Sequence, residues 1–443
     1  MNSQTIEIPN PGKFDPEFGT NGGLIYLKHP SRPLQGISGR GLDTDTNGNA
    51  YIVGNIENDS FRNEYFCVRL TTKGEIDKTF GNEGYVSGHF GSDSEAAESI
   101  ATEVRILRDQ KILVIGQYQI LGTGKLSKAL VRLLPDGSLD LDFGIKGKVI
   151  LDLGDRSLHK GPVPDDSGTT SNDLHASNST TIILDEKILL VGQFYREVGV
   201  VESLLIRLMP NGMLDTSFNE KGFVIIAHPD FTGTTALDSL LITESGKFVL
   251  SGTVGLLNDR EPLITQLHDT GELDTSFASN GYLVIESPPE RNFRIMSLVR
   301  QTNRRILAVG YAGFYAPDGL LISREPDGTE NIQFNGGKPV LENLGGLGLT
   351  AWGTASIILS NGKILVLGSV KHPVYSHTTT ALVRFTGAGS LDLTYGNGTG
   401  WYSFGHARQT RGAVAFMPGK VLFLGMDVID GNEFNYIARA LIE

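Results

Sequence analysis

Short apolar runs and polar turns alternate along the whole chain. The runs are rich in Val, Ile and Leu and are bounded by Gly, Asp, Asn and Pro. That is the pattern of β-strands joined by tight turns. No segment keeps a 3.6-residue apolar period for roughly ten residues or more, so no substantial helix is expected. In one representative stretch the strands are expected at Ile100–Leu107, Lys111–Tyr118, Ala129–Leu134 and Lys148–Leu153.

The pattern repeats. The segment Gly137-Ser138-Leu139-Asp140-Leu141-Asp142-Phe143-Gly144 has counterparts beginning at Gly12, Gly74, Gly212, Gly271 and Gly389, with a decayed copy at Gly328. Successive glycines are 62, 63, 75, 59, 57 and 61 residues apart. A second signature keeps step with it, an apolar run ending in Gly: Tyr51–Gly54, Ile112–Gly116, Ile188–Gly192, Phe248–Gly252, Ile306–Gly310, Ile364–Gly368 and Val421–Gly425. Most copies follow a hairpin turn such as Ser360-Asn361-Gly362, where Gly supplies a positive φ. Four short strands per repeat, seven times over, predict an all-β, seven-bladed β-propeller. The expected domain is one propeller over residues 1–443. The chain would start with an outer strand near Gly23–Lys28 and end with a third strand, Tyr436–Ile442, so that the termini share the last blade.

The GxLDxxFGxxG pattern, followed by an apolar strand and a DGKILVxG-type hairpin, resembles the delta-60 repeat of bacterial β-propeller proteins. The resemblance covers essentially the whole chain. It implies the fold and no activity.

Recurrence also sorts the side chains. Asp140 and its counterparts are expected to accept N–H bonds in the loop that follows. Phe143 and its counterparts are expected to staple neighbouring blades. Third strands carry Arg69, Arg132, Arg207, Arg384 and Arg439 at matching places, which again marks structure. Function should lie in what does not recur: the loops between second and third strands and the blade-to-blade crossovers, which emerge on one face. The longest crossover is Asp155–Asn172.

Candidate ligand-binding residues fall on that variable face. Glu98, His175, Arg294, Trp352 and Arg411 lie near the starts of inner strands, at the channel mouth, and His406, Tyr195 and Tyr315 join them from the loops. His29, His89, His228 and His406, just after outer strands, read first as loop anchors and second as parts of a binding rim.

Composition narrows the classes. The formal net charge of −12 argues against phosphate-backbone binding, so no nucleic acid is expected. No apolar run reaches the length of a membrane span, and the N-terminus lacks the basic and apolar regions of a Sec signal. The expected compartment is the cytoplasm by default, or outside by a non-Sec route. The single cysteine, Cys67, lies in an apolar run and reads as a buried, inert thiol.

Asp43-Thr44-Asp45-Thr46-Asn47-Gly48 resembles the start of a calcium loop. Its twelfth position is Gly54, where a bidentate Glu is required, so it reads as a hairpin turn and no metal is expected. Gly345-Gly346-Leu347-Gly348 precedes no helix, so no dinucleotide site or other cofactor is expected. There is no GxSxG or HExxH motif. The reading is a non-enzymatic module that binds a carbohydrate or a protein surface through the variable face. The alternatives are a scaffold or subunit of a toxin or surface assembly, and a hydrolase or lyase with His and acidic groups at the channel mouth.

Overall fold

The computed structural model describes residues 13–19, 23–28, 37–58, 62–92, 96–122, 125–151, 181–197, 200–231, 233–256, 259–313, 316–344, 349–371, 378–404, 409–429 and 432–442. Their strands form seven four-stranded antiparallel sheets. The first six blades each use four strands consecutive in sequence. Blade 1 runs Ser38–Thr44, Ala50–Glu57, Asn63–Leu70 and Tyr85–Gly88. The expected strands of blade 2 appear as Ala97–Ile106, Ile112–Ile120, Lys125–Leu133 and Lys148–Ile150. Among the described residues the only helical turns are three-residue 3-10 turns, such as Thr302–Arg304.

The seventh blade joins the two ends of the chain. Gln409–Met417, Lys420–Ile429 and Asn432–Leu441 are completed by Leu24–Tyr26, paired as Leu24 to Ala438 and Tyr26 to Tyr436. A second tie runs beside it, from Asp15 N–H to the Arg439 carbonyl at 2.7 Å. Closure ties the two ends of the ring together and gives the last blade its fourth strand.

The first strands of adjacent blades touch. Ser38–Thr44 meets Ala97–Ile106 on one side and Gln409–Met417 on the other. These strands therefore ring the axis, and the fourth strands lie outermost. Second strands are buried on both faces because each blade is sandwiched between two others. Seven hydrophobic clusters result, one in each gap between neighbouring blades. Cys67 is fully buried in the gap between blades 1 and 2, and burial pushes its thiol well above the usual range.

The LDxxFG residues build a latch across these gaps. In blade 2 Asp140 Oδ1 accepts the Asp142 N–H at 3.3 Å, while Oδ2 takes Arg132 Nε at 2.6 Å and Lys111 Nζ at 3.0 Å. The Arg132 guanidinium stacks 4.6 Å from the Phe143 ring centre, and its Nη1 donates to the Pro210 carbonyl of blade 3. Phe143 itself packs against the next blade's turn at Gly212. Arg69–Asp77–Phe80, Arg207–Asp215–Phe218, Arg384–Asp392–Tyr395 and Arg439–Asp15–Phe18 repeat the arrangement. Lys and Arg together hold these carboxyls below the usual range in blades 2, 3, 6 and 7.

The recurrent glycine of the second strand has an equally local cause. Opposite it, every first strand described at this level carries a β-bulge. The bulge presses a carbonyl onto the glycine. A Cβ on Gly54 would lie 1.8 Å from the Ser38 oxygen, and one on Gly310 1.8 Å from the Arg294 oxygen. Only glycine leaves room.

Candidate ligand site at the channel mouth

The variable face is the end of the ring where first strands begin. There, blades 1 and 2 share a chain of polar groups, one link of which recurs between blades 3 and 4, where the Val201 N–H donates to Thr234 Oγ1 at 3.3 Å. Arg40 Nε donates to Asn55 Oδ1 at 3.1 Å, and Asn55 Nδ2 donates to Asn63 Oδ1 at 2.6 Å. Asn63 then donates to Glu98 Oε2 twice, from Nδ2 at 2.6 Å and from its backbone N–H at 2.9 Å. Glu98 thus belongs to this cluster, where it ties one blade to the next. Nearby, Glu64 Oε1 accepts from Asn58 Nδ2 at 3.0 Å and lies 3.7 Å from His89 Nε2, on the outer side of blade 1.

The same face of blades 4 and 5 carries a second group. Asp318 takes Arg291 on one oxygen and Asn343 Nδ2 at 3.0 Å on the other, and Glu261 Oε2 accepts both the Ser287 N–H and its hydroxyl. Arg294, half-buried, stands next to the Asp238 carboxyl of blade 4 and draws its pKa down. Burial outweighs that pull and pushes Asp238 up to about 7.

Trp352 requires a correction. It was expected at the mouth, yet it is 1% exposed and sits in the core between blades 5 and 6. Its indole fills the space over Gly319, edge-on to Phe385. It pairs with the recurrent Gly368, as buried Leu237 and Ile295 pair with Gly252 and Gly310, and this place in the strand falls in the gap rather than toward the axis. Tyr195 and Arg411 lie on Lys187–Glu197 and Gln409–Met417, with side chains outside the described set. His175, Tyr315 and His406 lie outside the described residues altogether, as do His29, Asp155–Asn172 and the glycines at 345, 346 and 348.

His228 is a loop anchor. Its Nδ1 accepts the Asp230 N–H at 3.2 Å, its ring packs against Phe231 and Tyr282, and burial lowers its pKa. The turn at Asp45 is held by its own carboxylate, which accepts the N–H groups of Asn47 and Asn49 and the Asn49 amide. Among the described residues, no group of three His, Cys, Asp or Glu is placed to hold a metal ion. No described helix is long and apolar enough to cross a membrane.

Sequence reasoning missed Arg40, Asn55, Asn63 and Asp238. Asp238 had a usable signal: it directly follows Leu237, the partner of the recurrent Gly252, where the bulge falls. The pairing of Asn55 with Asn63 had none.

Comparison with known proteins places this architecture among repeat propellers. The family described as "Domain of unknown function (DUF5122) beta-propeller" matches residues 107–143, 185–218 and 359–395. One described as "Beta-propeller repeat" matches residues 31–62. No curated protein matches the sequence. Among solved structures the chain is similar to a puromycin hydrolase at 11% identity and a TM-score of 0.45. That match covers 88% of this chain and 50% of the other, so this chain spans about half its length. A protein of unknown function from Dyadobacter fermentans aligns at 8% identity and a TM-score of 0.46, over 95% of this chain and 98% of that one. An α-L-arabinofuranosidase from Fusarium graminearum aligns at 7% identity and a TM-score of 0.45, over 96% and 98%.

Proposed function

We propose that this chain is a non-enzymatic binding propeller of the delta-60 type, and that it recognises a carbohydrate at the mouth of its channel on the variable face. One observation carries the reading. The recurring charged residues are committed to the inter-blade latches, while the non-recurring amide, carboxylate and guanidinium groups Arg40, Asn55, Asn63 and Glu98 gather at the loop end of blades 1 and 2. Planar polar groups of this kind suit sugar hydroxyls, which both donate and accept hydrogen bonds.

A glycan array followed by titration calorimetry tests this. The expected result is a set of related neutral glycans bound by the wild type and lost in Asn63→Ala. An array without binders, with a protein captured instead and released by the same substitution, would turn the reading toward a protein surface. A hydrolase or lyase is the competing reading, and the His–acid pair to test for it is His89 and Glu64, 3.7 Å apart on the outer side of blade 1 rather than at the channel mouth. Turnover of a glycan that disappears in His89→Ala would establish it.

A further inference from the structure

The bulges place one non-repeating residue per blade at a single level of the channel. In blades 1, 2, 4 and 5 these residues are Arg40, Thr102, Asp238 and Met296. Each is partly exposed, and each lies between two buried neighbours. Both faces of a blade are covered by adjoining blades, so exposure at this level opens onto the axis. The layer is chemically lopsided. Asp238 belongs to blade 4 and has Arg294 of blade 5 beside it, while Arg40 belongs to blade 1.

Asp238 has a further peculiarity. Its Oδ1 is shielded from solvent and has no hydrogen-bond partner among the described residues. A carboxylate oxygen left so is costly, and a fold built only for stability has no reason to retain it. The latch carboxylates show the contrast, since Asp140, Asp215 and Asp392 have both oxygens engaged. Arg40 also links this layer to the mouth, through Asn55 and Asn63 to Glu98.

We propose that this mid-channel layer is a second, deeper subsite that takes the terminal residue of the glycan end-on, with adjacent hydroxyls donating to Asp238 and accepting from Arg294. The proposal rests on the carbohydrate reading above and adds the polarity of entry. A ring of first strands closed around the axis admits a chain end and excludes a chain interior. A neutral diol suits a carboxylate paired with a guanidinium, because one hydroxyl donates where the next accepts.

The test combines binding with stability. Asp238→Asn should weaken the best array glycan roughly tenfold to hundredfold, as expected for a lost hydrogen bond to a charged group. The same variant should raise the urea midpoint at neutral pH, because it removes a buried charge. A merely structural Asp238 would lower that midpoint. In parallel, the carboxyl carbon of Asp238 is followed by NMR against a panel of neutral monosaccharides and a panel of simple amines. Movement with sugars supports the proposal. Movement with amines alone, or with neither panel, overturns it.

The two readings fail separately. A glycan lost in Asn63→Ala but bound fully by Asp238→Asn removes the deep subsite and spares the mouth. An Asp238 signal moved by sugars, with Asn63→Ala silent, does the reverse.

Discussion

Blades 2 and 5 are copies of one repeat held by different chemistry. In blade 2 Arg132 joins Asp140, stacks on Phe143 and reaches the Pro210 carbonyl of the next blade. At the same register blade 5 has Ser323, and Asn331 stands in the place of the aspartate. Asn331 Nδ2 donates to the Ser323 hydroxyl at 2.9 Å, which donates to Gln301 Oε1 at 2.6 Å. Both charges have gone together. A buried pair that loses only one member leaves an uncompensated charge, whereas a neutral pair costs little. Blade 4 is intermediate. Gln266 replaces the arginine, and Asp274 survives on Lys247 at 2.6 Å. The latch tolerates replacement when its carboxylate keeps a cation or disappears.

The largest effect should come from breaking a latch on one side. Arg132→Ala leaves Asp140 with Lys111 as its one cation and removes the Arg132 tie to the Pro210 carbonyl of blade 3. It should cost about 3–5 kcal/mol in chemical denaturation. If it costs no more than a surface substitution, the latch is decoration. Ser323→Arg should destabilise blade 5 by roughly 1–3 kcal/mol, because the new charge meets Asn331. The double variant Ser323→Arg with Asn331→Asp should recover most of that loss, and a double-mutant cycle measures the coupling.

Acid should separate the blades next. The latch carboxyls are held below their usual range, so their stabilising effect is full above about pH 4 and drains away as pH falls through the folded values. Blade 5 has no such carboxyl. Hydrogen exchange on acidification should therefore loosen the gap between blades 2 and 3 before that between blades 5 and 6. Asp238 runs the other way. Its folded pKa of about 7 lies above the unfolded value, so its cost appears as pH rises from about 4 and is complete above about 7. Asp238→Asn should raise stability at pH 8 by roughly 1–2 kcal/mol and leave it unchanged near pH 4. The smallest effect belongs to Gln266→Arg, which adds an arginine beside Asp274. It should change stability by about 1 kcal/mol or less, since Lys247 already serves the carboxylate.

Repetition made the fold legible. Seven LDxxFG segments and seven apolar runs ending in Gly specify seven blades, and the outer strand near Gly23 is where the closing strand Leu24–Tyr26 lies. The recurring arginines were visible, and each precedes its aspartate by the same eight residues in four blades, as Arg69 precedes Asp77. The contact itself depends on a strand reversal that spacing alone does not display. The site was far less legible. Glu98 and Arg294 were reachable from their places at strand starts. Trp352 was not, because its pairing with Gly368 puts it on the side of the strand that meets the neighbouring blade, and that register shows only once the strands pair. Arg40, Asn63 and Asp238 come from separate repeats and meet only once the ring has closed.

The shared seventh blade gives the fold a timetable. Arg439 and its aspartate, Asp15, are 424 residues apart. At about 5–20 residues per second the amino-terminal strand waits on the order of tens of seconds for its partner to be made. Until then the growing sheet stack is an open arc with two sticky ends, and each end is as ready to join another nascent arc as to find the other. The ring thus folds against a clock, and dilution during synthesis guards it from becoming a chain of linked arcs.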